Sequence, residues 1–232
     1  MVKGLILELK KEANKNQAKI LSGFFKTGKG QYGEGDVFWG IKVPTIRAIA
    51  RKFIEMSIKE VQLLLDCDIH EVRFAGLTIL IRKYEKGDEK EKKKIFNLYL
   101  KNIKKNINNW DLVDLSCPQI IGSFLFNQDR DILYKLARSN NLWEKRVAMI
   151  STFYFIKRND FKDSLSLAKI LLNDKHDLIN KAVGWMLREI GKRNIDIEKD
   201  FLFLYYNTMP RTTLRYAIEK MNEEERKFFL SK

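Results

Sequence analysis

Cysteine, proline and histidine are all scarce in this 232-residue sequence, and each scarcity closes off a class of protein. Two cysteines, Cys67 and Cys117, without CxxC spacing cannot make the disulfide framework of a small secreted domain, so both are expected as reduced, partly buried thiols. Three prolines and 12 glycines are too few for the closely spaced turns of a β-sandwich or barrel. No apolar run approaches the ~18 residues of a membrane span. Met1 to Lys11 carries charges where a secretory signal would need its apolar stretch, so a cytoplasmic protein is expected. No P-loop, Rossmann fingerprint, GxSxG elbow or metal-ligand cluster occurs, and with two histidines in the chain neither a cofactor nor a metal is expected.

What remains is rich in Lys, Leu, Ile, Glu, Phe and Asn, a composition that favours helices, and 45% of it is hydrophobic, enough for a self-sufficient core. The expected class is all-α. Lys and Arg number 44 against 30 Asp and Glu, a net charge of +14. That excess points to an anionic partner, nucleic acid first and acidic lipid or protein second, although a Lys- and Asn-rich chain is also basic by composition alone.

Self-similarity organises the chain. Arg73-Phe74-Ala75, Arg146-Val147-Ala148 and Arg215-Tyr216-Ala217 each sit inside an apolar helical pattern, and Lys181-Ala182-Val183 is a weaker copy. The starts are 73, 35 and 34 residues apart, so one copy is missing near residue 110, where Trp110 stands. The turn Asp68-Ile69-His70 recurs as Asp174-Lys175-His176, which makes both histidines candidates for turns and caps rather than ligands. Each unit reads as an outer charged helix (Ser57 to Asp66, Glu89 to Lys105, Arg130 to Arg138, Phe161 to Leu172) followed by an inner helix carrying the repeat. Pro44 fits the first turn of a further helix, Thr45 to Phe53. Such two-helix units cannot bury their own apolar faces and stack. The expectation is a single domain over 1–232, a right-handed α-solenoid of about six HEAT-like repeats with a concave basic face. Residues 1–56 would hold N-terminal helices and a Gly-rich loop, and 57–225 the stacked repeats. The loop from Thr27 to Gly40 reads equally as a substrate-facing element or a plain connection.

Stacked repeats line up residues of one register. That line is Arg73, Trp110, Arg146, Lys181 and Arg215; one turn further on come Asp114 and Trp185, and Arg188 extends the same face. Cations in a row suit a phosphate backbone, which they would position without reading sequence. Plainer readings stand beside this one: the tryptophans as packed core, Asp111 as a helix cap, and Asp114 as an ion-pair partner of Arg146.

With these residues in view, the sequence resembles the DNA alkylation repair family, the AlkD-like DNA glycosylases built of HEAT-like repeats. The matching stretches are Phe38-Trp39-Gly40-Ile41-Lys42-Val43-Pro44 followed by Arg47, Asn109-Trp110-Asp111-Leu112-Val113-Asp114, and Leu142-Trp143-Glu144-Lys145-Arg146-Val147-Ala148. Lys181-Ala182-Val183-Gly184-Trp185-Met186-Leu187-Arg188-Glu189 and Leu214-Arg215-Tyr216-Ala217-Ile218-Glu219 complete the set. The resemblance implies functional tryptophans at Trp110 and Trp185, a catalytic carboxylate at Asp114 and an essential arginine at Arg146. DNA contacts are expected from Arg73, Lys181, Arg188, Arg215, Lys42 and Arg47.

The implied activity is base excision repair, the hydrolysis of the N-glycosidic bond of N3-methyladenine or N7-methylguanine in duplex DNA by a monofunctional, monomeric glycosylase. A purine alkylated at N3 or N7 is cationic and leaves readily, so one carboxylate can suffice to stabilise the oxocarbenium-like sugar and deliver water. A reading of another class is a non-catalytic HEAT-like module that binds nucleic acid or an acidic protein. A membrane-surface role would need a helix with one basic and one bulky apolar face, which Glu89 to Lys105 lacks.

Overall fold

Helix starts are set by side-chain caps where the sequence offers them. Ser57 and Asn222 form capping boxes with Glu60 and Glu225, and Asn14, Asp88, Asn141 and Asn194 each accept a backbone N–H from the first turn that follows. The computed structural model describes residues 1–231, and among these it is helical with no β-sheet, its only extended pairing being the isolated parallel bridge Val37–Ile69. The helices cluster into two compact units, Met1–Ser116 and Cys117–Lys232.

Unit 1 contains α1 (Val2–Lys11), α2 (Lys15–Phe24), α3 (Val43–Lys52), α4 (Ile58–Leu65), α5 (His70–Lys86) and α6 (Glu89–Asn102), and ends within α7 (Trp110–Cys117). Its centre is α5, which packs on α1, α3, α4 and α6 and is buried almost all round, from His70 through Tyr84. A helix covered on every side has no polar face, and its sequence accordingly lacks a clean amphipathic stripe. Between α2 and α3 the chain runs irregularly through residues 25–42. Gly40 closes it at φ 81°, and a Cβ there would lie 2.2 Å from the Asn14 carbonyl oxygen, so only glycine fits.

Unit 2 opens with a π-helical turn, Pro118–Gly122, and continues through α8 (Ser123–Leu125), α9 (Asp131–Ala137), α10 (Leu142–Ser151), α11 (Phe153–Ile156) and α12 (Lys162–Leu171). It ends with α13 (Asp177–Gly191), α14 (Ile195–Tyr205), α15 (Arg211–Ala217), a 3-10 turn and α16 (Glu223–Leu230). Here the repeat is visible: α10, α13 and α15 pack successively on one another, while α9 lies on α10, α12 on α13, and α9 and α12 also touch. Arg146, Lys181 and Arg215 are each the fifth residue of their helix. Gly184 lets α15 approach α13, because a Cβ there would lie 2.4 Å from the Thr213 carbonyl oxygen. The outer layer is tied by Arg130, whose Nη1 reaches Asp160 at 2.7 Å and Asp163 at 2.6 Å across the Phe155 ring.

The expected outer helices appear within one to three residues of their sequence-based limits, and Pro44 sits in the first turn of α3 as expected.

Candidate functional site

In unit 1 the sequence places Asn109, Trp110, Asp111 and Asp114 on or just before α7. Trp110 and Asp114 are both half-buried and lie one turn apart on this helix. Trp110 is the first residue of α7 and Asp114 the fifth, so by helix position Asp114 is the counterpart of the cations at Arg146, Lys181 and Arg215. The Trp110 ring stacks on Phe25, with centroids 5.2 Å apart and an interplanar angle of 16°, and Phe24 meets it edge-on at 5.9 Å. Phe25 stacks in turn on Phe38 at 4.9 Å, and Phe38 on the His70 ring at 4.4 Å.

That row of rings ends in a buried polar cluster, one that sequence reasoning did not find. Asp36, from the Gly-rich segment, accepts hydrogen bonds from His70 Nδ1 at 3.0 Å, from Asn109 Nδ2 at 2.8 Å and from the Arg73 guanidinium. On the other side of the imidazole, His70 Nε2 lies 2.8 Å from an Asp111 carboxylate oxygen. Arg73 Nη1 also donates to the carbonyls of Cys67 and Asp68, capping the end of the preceding turn. Burial alone would raise the Asp36 pKa, but His70, Arg73 and Asn109 together hold it below the usual carboxylate range. Burial works against the charged form of His70 as well, yet the two carboxylates, Asp111 foremost, lift its pKa to about 9. At neutral pH the cluster thus holds two carboxylates, an imidazolium and a guanidinium, with no net charge. Next to it, Glu71 accepts from the backbone N–H groups of Trp39, Gly40 and Ile41, the closest at 2.7 Å. The Thr27–Gly40 segment is thus anchored at Asp36 and Gly40.

Arg73 is part of this cluster. Its residue is only 5% exposed, because its guanidinium is engaged by Asp36 and two carbonyls within unit 1. Lys42 and Arg47, by contrast, are exposed at the start and on the open side of α3.

In unit 2, Arg146 is likewise only 5% exposed, and its Nη1 donates to the Leu178 carbonyl oxygen. Trp185 is half-buried on α13, tilted at 48° to the Phe153 ring with centroids 5.7 Å apart, and its Nε1 donates to Glu189 Oε1 at 3.2 Å. Burial would raise the Glu189 pKa, but Lys192, Trp185 and Arg188 hold it low, so it accepts as a carboxylate. Lys181 pairs with Asp177 at 2.7 Å along the same helix, Arg188 pairs with Glu219, and Arg215 is exposed. His176 caps α13 by accepting from the Leu178 N–H, as its place in the repeated turn suggests.

Among the described residues no group of His, Cys, Asp and Glu could hold a metal ion, and no helix is long and apolar enough to cross a membrane. The family model described as "DNA alkylation repair enzyme" matches residues 5–221. Among solved structures, a predicted DNA alkylation repair enzyme from Enterococcus faecalis is similar at a TM-score of 0.72 and 15% identity, covering 91% of this chain and 98% of that one. The protein smu.31 of Streptococcus mutans UA159 is similar at a TM-score of 0.55 and 18% identity, covering 95% of this chain and 98% of that one. At such identities the likeness is one of fold. Comparison with curated proteins gave no match.

Proposed function

Because this chain belongs to the DNA alkylation repair enzyme family, we propose that it is a monofunctional DNA glycosylase that hydrolyses the N-glycosidic bond of cationic N3- and N7-alkylated purines in duplex DNA. The observation that carries this reading is Asp114, a half-buried carboxylate one helical turn from the half-buried Trp110 in a chain of net charge +14. A surface built only to hold phosphates would keep a negative charge away from that position.

The chemistry asks little of the protein. An alkylated purine leaves as a neutral base, so no general acid is needed; what must be stabilised is the positive charge that builds on the deoxyribose. Asp114 opposes that charge, orients the water that adds to C1′ and takes up the proton that this water loses, the part played by the base of the carboxyl pair in glycoside hydrolysis. Trp110 and Trp185 present ring faces to the cationic lesion or sugar, worth roughly 0.5 to 2 kcal/mol per contact. Arg146, tied to the Leu178 carbonyl, supplies a fixed positive charge for a DNA phosphate. Lys181, Arg188, Arg215, Lys42 and Arg47 contact the backbone. Arg73 is left out of this set, since it serves the buried cluster around Asp36. The repeat count of about six and the right-handed array of HEAT-like units belong to the same proposal.

The test is release of free methylated purine, followed by chromatography, from duplex DNA treated with a methylating agent. Wild type is expected to release 7-methylguanine or 3-methyladenine, and Arg146→Ala to release far less. Tight DNA binding by wild type without any release would replace the glycosylase with a binding module.

A further inference from the structure

We propose that His70 is a positioning residue for Trp110, a doubly donating imidazolium that ties Asp36 of the Gly-rich segment to Asp111 in the first turn of α7 and so holds the indole in place. Its role in base excision rests on the glycosylase reading above, whereas the clamp rests on the geometry of unit 1 alone.

The geometry demands the charged ring. Each ring nitrogen of His70 faces a carboxylate oxygen, at 3.0 Å from Nδ1 and 2.8 Å from Nε2. A neutral imidazole has one N–H, so between two ionised carboxylates one of its nitrogens would face an oxygen lone pair to lone pair; the imidazolium donates to both. Phe38 stacks on this cation at 4.4 Å and passes the contact through Phe25 to the Trp110 ring. The backbone is held on both sides of the tryptophan: Asn109 donates to Asp36 immediately before it, and Asp111 receives His70 immediately after it. Asn109 Oδ1 also accepts the Trp110 N–H at 2.9 Å.

The charged groups around His70 determine what its deprotonation would release. Asp36 keeps Arg73 and Asn109 as partners in either state of the ring. Glu71, on the same helix, is committed to the backbone N–H groups of residues 39–41. Asp111 has a second carboxylate oxygen that is buried without a hydrogen-bond partner, and its side chain is 16% exposed against 2% for Asp36. Loss of the proton therefore weakens the hold on Asp111 in the first turn of α7, while Asn109 and the Gly-rich segment stay anchored on Asp36.

The experiment follows the imidazole and indole signals of the full-length protein by NMR across pH 7 to 10. The chain has two histidines and four tryptophans, so His176→Gln and Trp110→Phe are enough to assign His70 and Trp110. The Trp110 indole signal is expected to move with the same midpoint as the His70 ring, and to stop moving in His70→Gln. Asp111→Asn keeps an acceptor but removes its charge, so it is expected to lower that midpoint. It serves as the second variant should His70→Gln fail to fold. Release of 3-methyladenine from duplex DNA should then fall about tenfold per pH unit above the midpoint in wild type, with the fall beginning at lower pH in Asp111→Asn. A Trp110 signal indifferent to His70, or a midpoint unmoved in Asp111→Asn, would overturn the clamp. No base release by any of these proteins at any pH would instead overturn the glycosylase, with the NMR result still deciding the clamp.

Discussion

The two tryptophans singled out by sequence are held very differently. Trp110 in unit 1 stands in a row of stacked rings, and both residues beside it are bonded into a buried cluster of opposite charges, Asn109 as a donor to Asp36 and Asp111 as an acceptor from His70. Trp185 in unit 2 has one tilted neighbour, Phe153, and one hydrogen bond from its indole to Glu189, itself engaged by Lys192. Rings of one residue type can thus be fixed by a long-range charge network or by one neighbouring ring and a hydrogen bond within their own helix. The first arrangement is costly to break, because every buried charge depends on another.

This contrast predicts the largest stability effect at Arg73. Arg73→Ala would leave Asp36 short of a partner in the interior and should cost about 3–5 kcal/mol in chemical denaturation; a loss under about 1 kcal/mol would mean that His70 and Asn109 suffice. A smaller effect should come from a buried carboxyl group of unit 2 that lacks such a network. Glu198 is buried with one oxygen unpartnered, and burial, joined by the Glu225 charge and opposed by Arg188, raises its pKa to about 8. The folded state therefore retains a proton that the unfolded chain has lost, and stability drains away between the ordinary glutamate pKa and about pH 8. Glu198→Gln should gain thermal stability over wild type progressively from pH 5 to 8, with no further gain above; a gain independent of pH would contradict the titration. His70 has its pKa raised as well, so its contribution is complete below the ordinary histidine value and is lost as pH rises through about 9. Smallest of all should be Arg215→Ala, within about 0.5 kcal/mol of wild-type stability, although as a phosphate contact it should lower the salt dependence of DNA binding by about one unit of slope.

Local signals carried well from sequence to structure. Ser57, Asp88 and Asn141 start their helices, and the repeat register holds at Arg146, Lys181 and Arg215 in unit 2. The repeated turn carried only half its meaning. His176 caps α13 and its pKa is lowered, burial being the main cause, whereas His70 in the matching turn is the first residue of α5 and is a buried cation. The difference lies in what covers each ring: Asp36, Phe38 and Asp111 reach His70 from positions 34, 32 and 41 residues away in the sequence. No periodicity connects such distant positions, and a glycine-rich segment gives no sign that its one aspartate turns inward. The partner of Arg73 is hidden for the same reason, since a motif shared with Arg146 and Arg215 does not reveal a carboxylate in a loop.

A glycosylase of this kind stands or falls with the chemistry of Asp114. Single-turnover release of 3-methyladenine, with DNA fully bound, compares wild type with Asp114→Asn at equal occupancy. Asp114→Asn should bind DNA with nearly unchanged affinity and release base roughly 10²–10³-fold more slowly, the usual loss when one preorganised electrostatic group is removed; release at the wild-type rate would strip Asp114 of any chemical role.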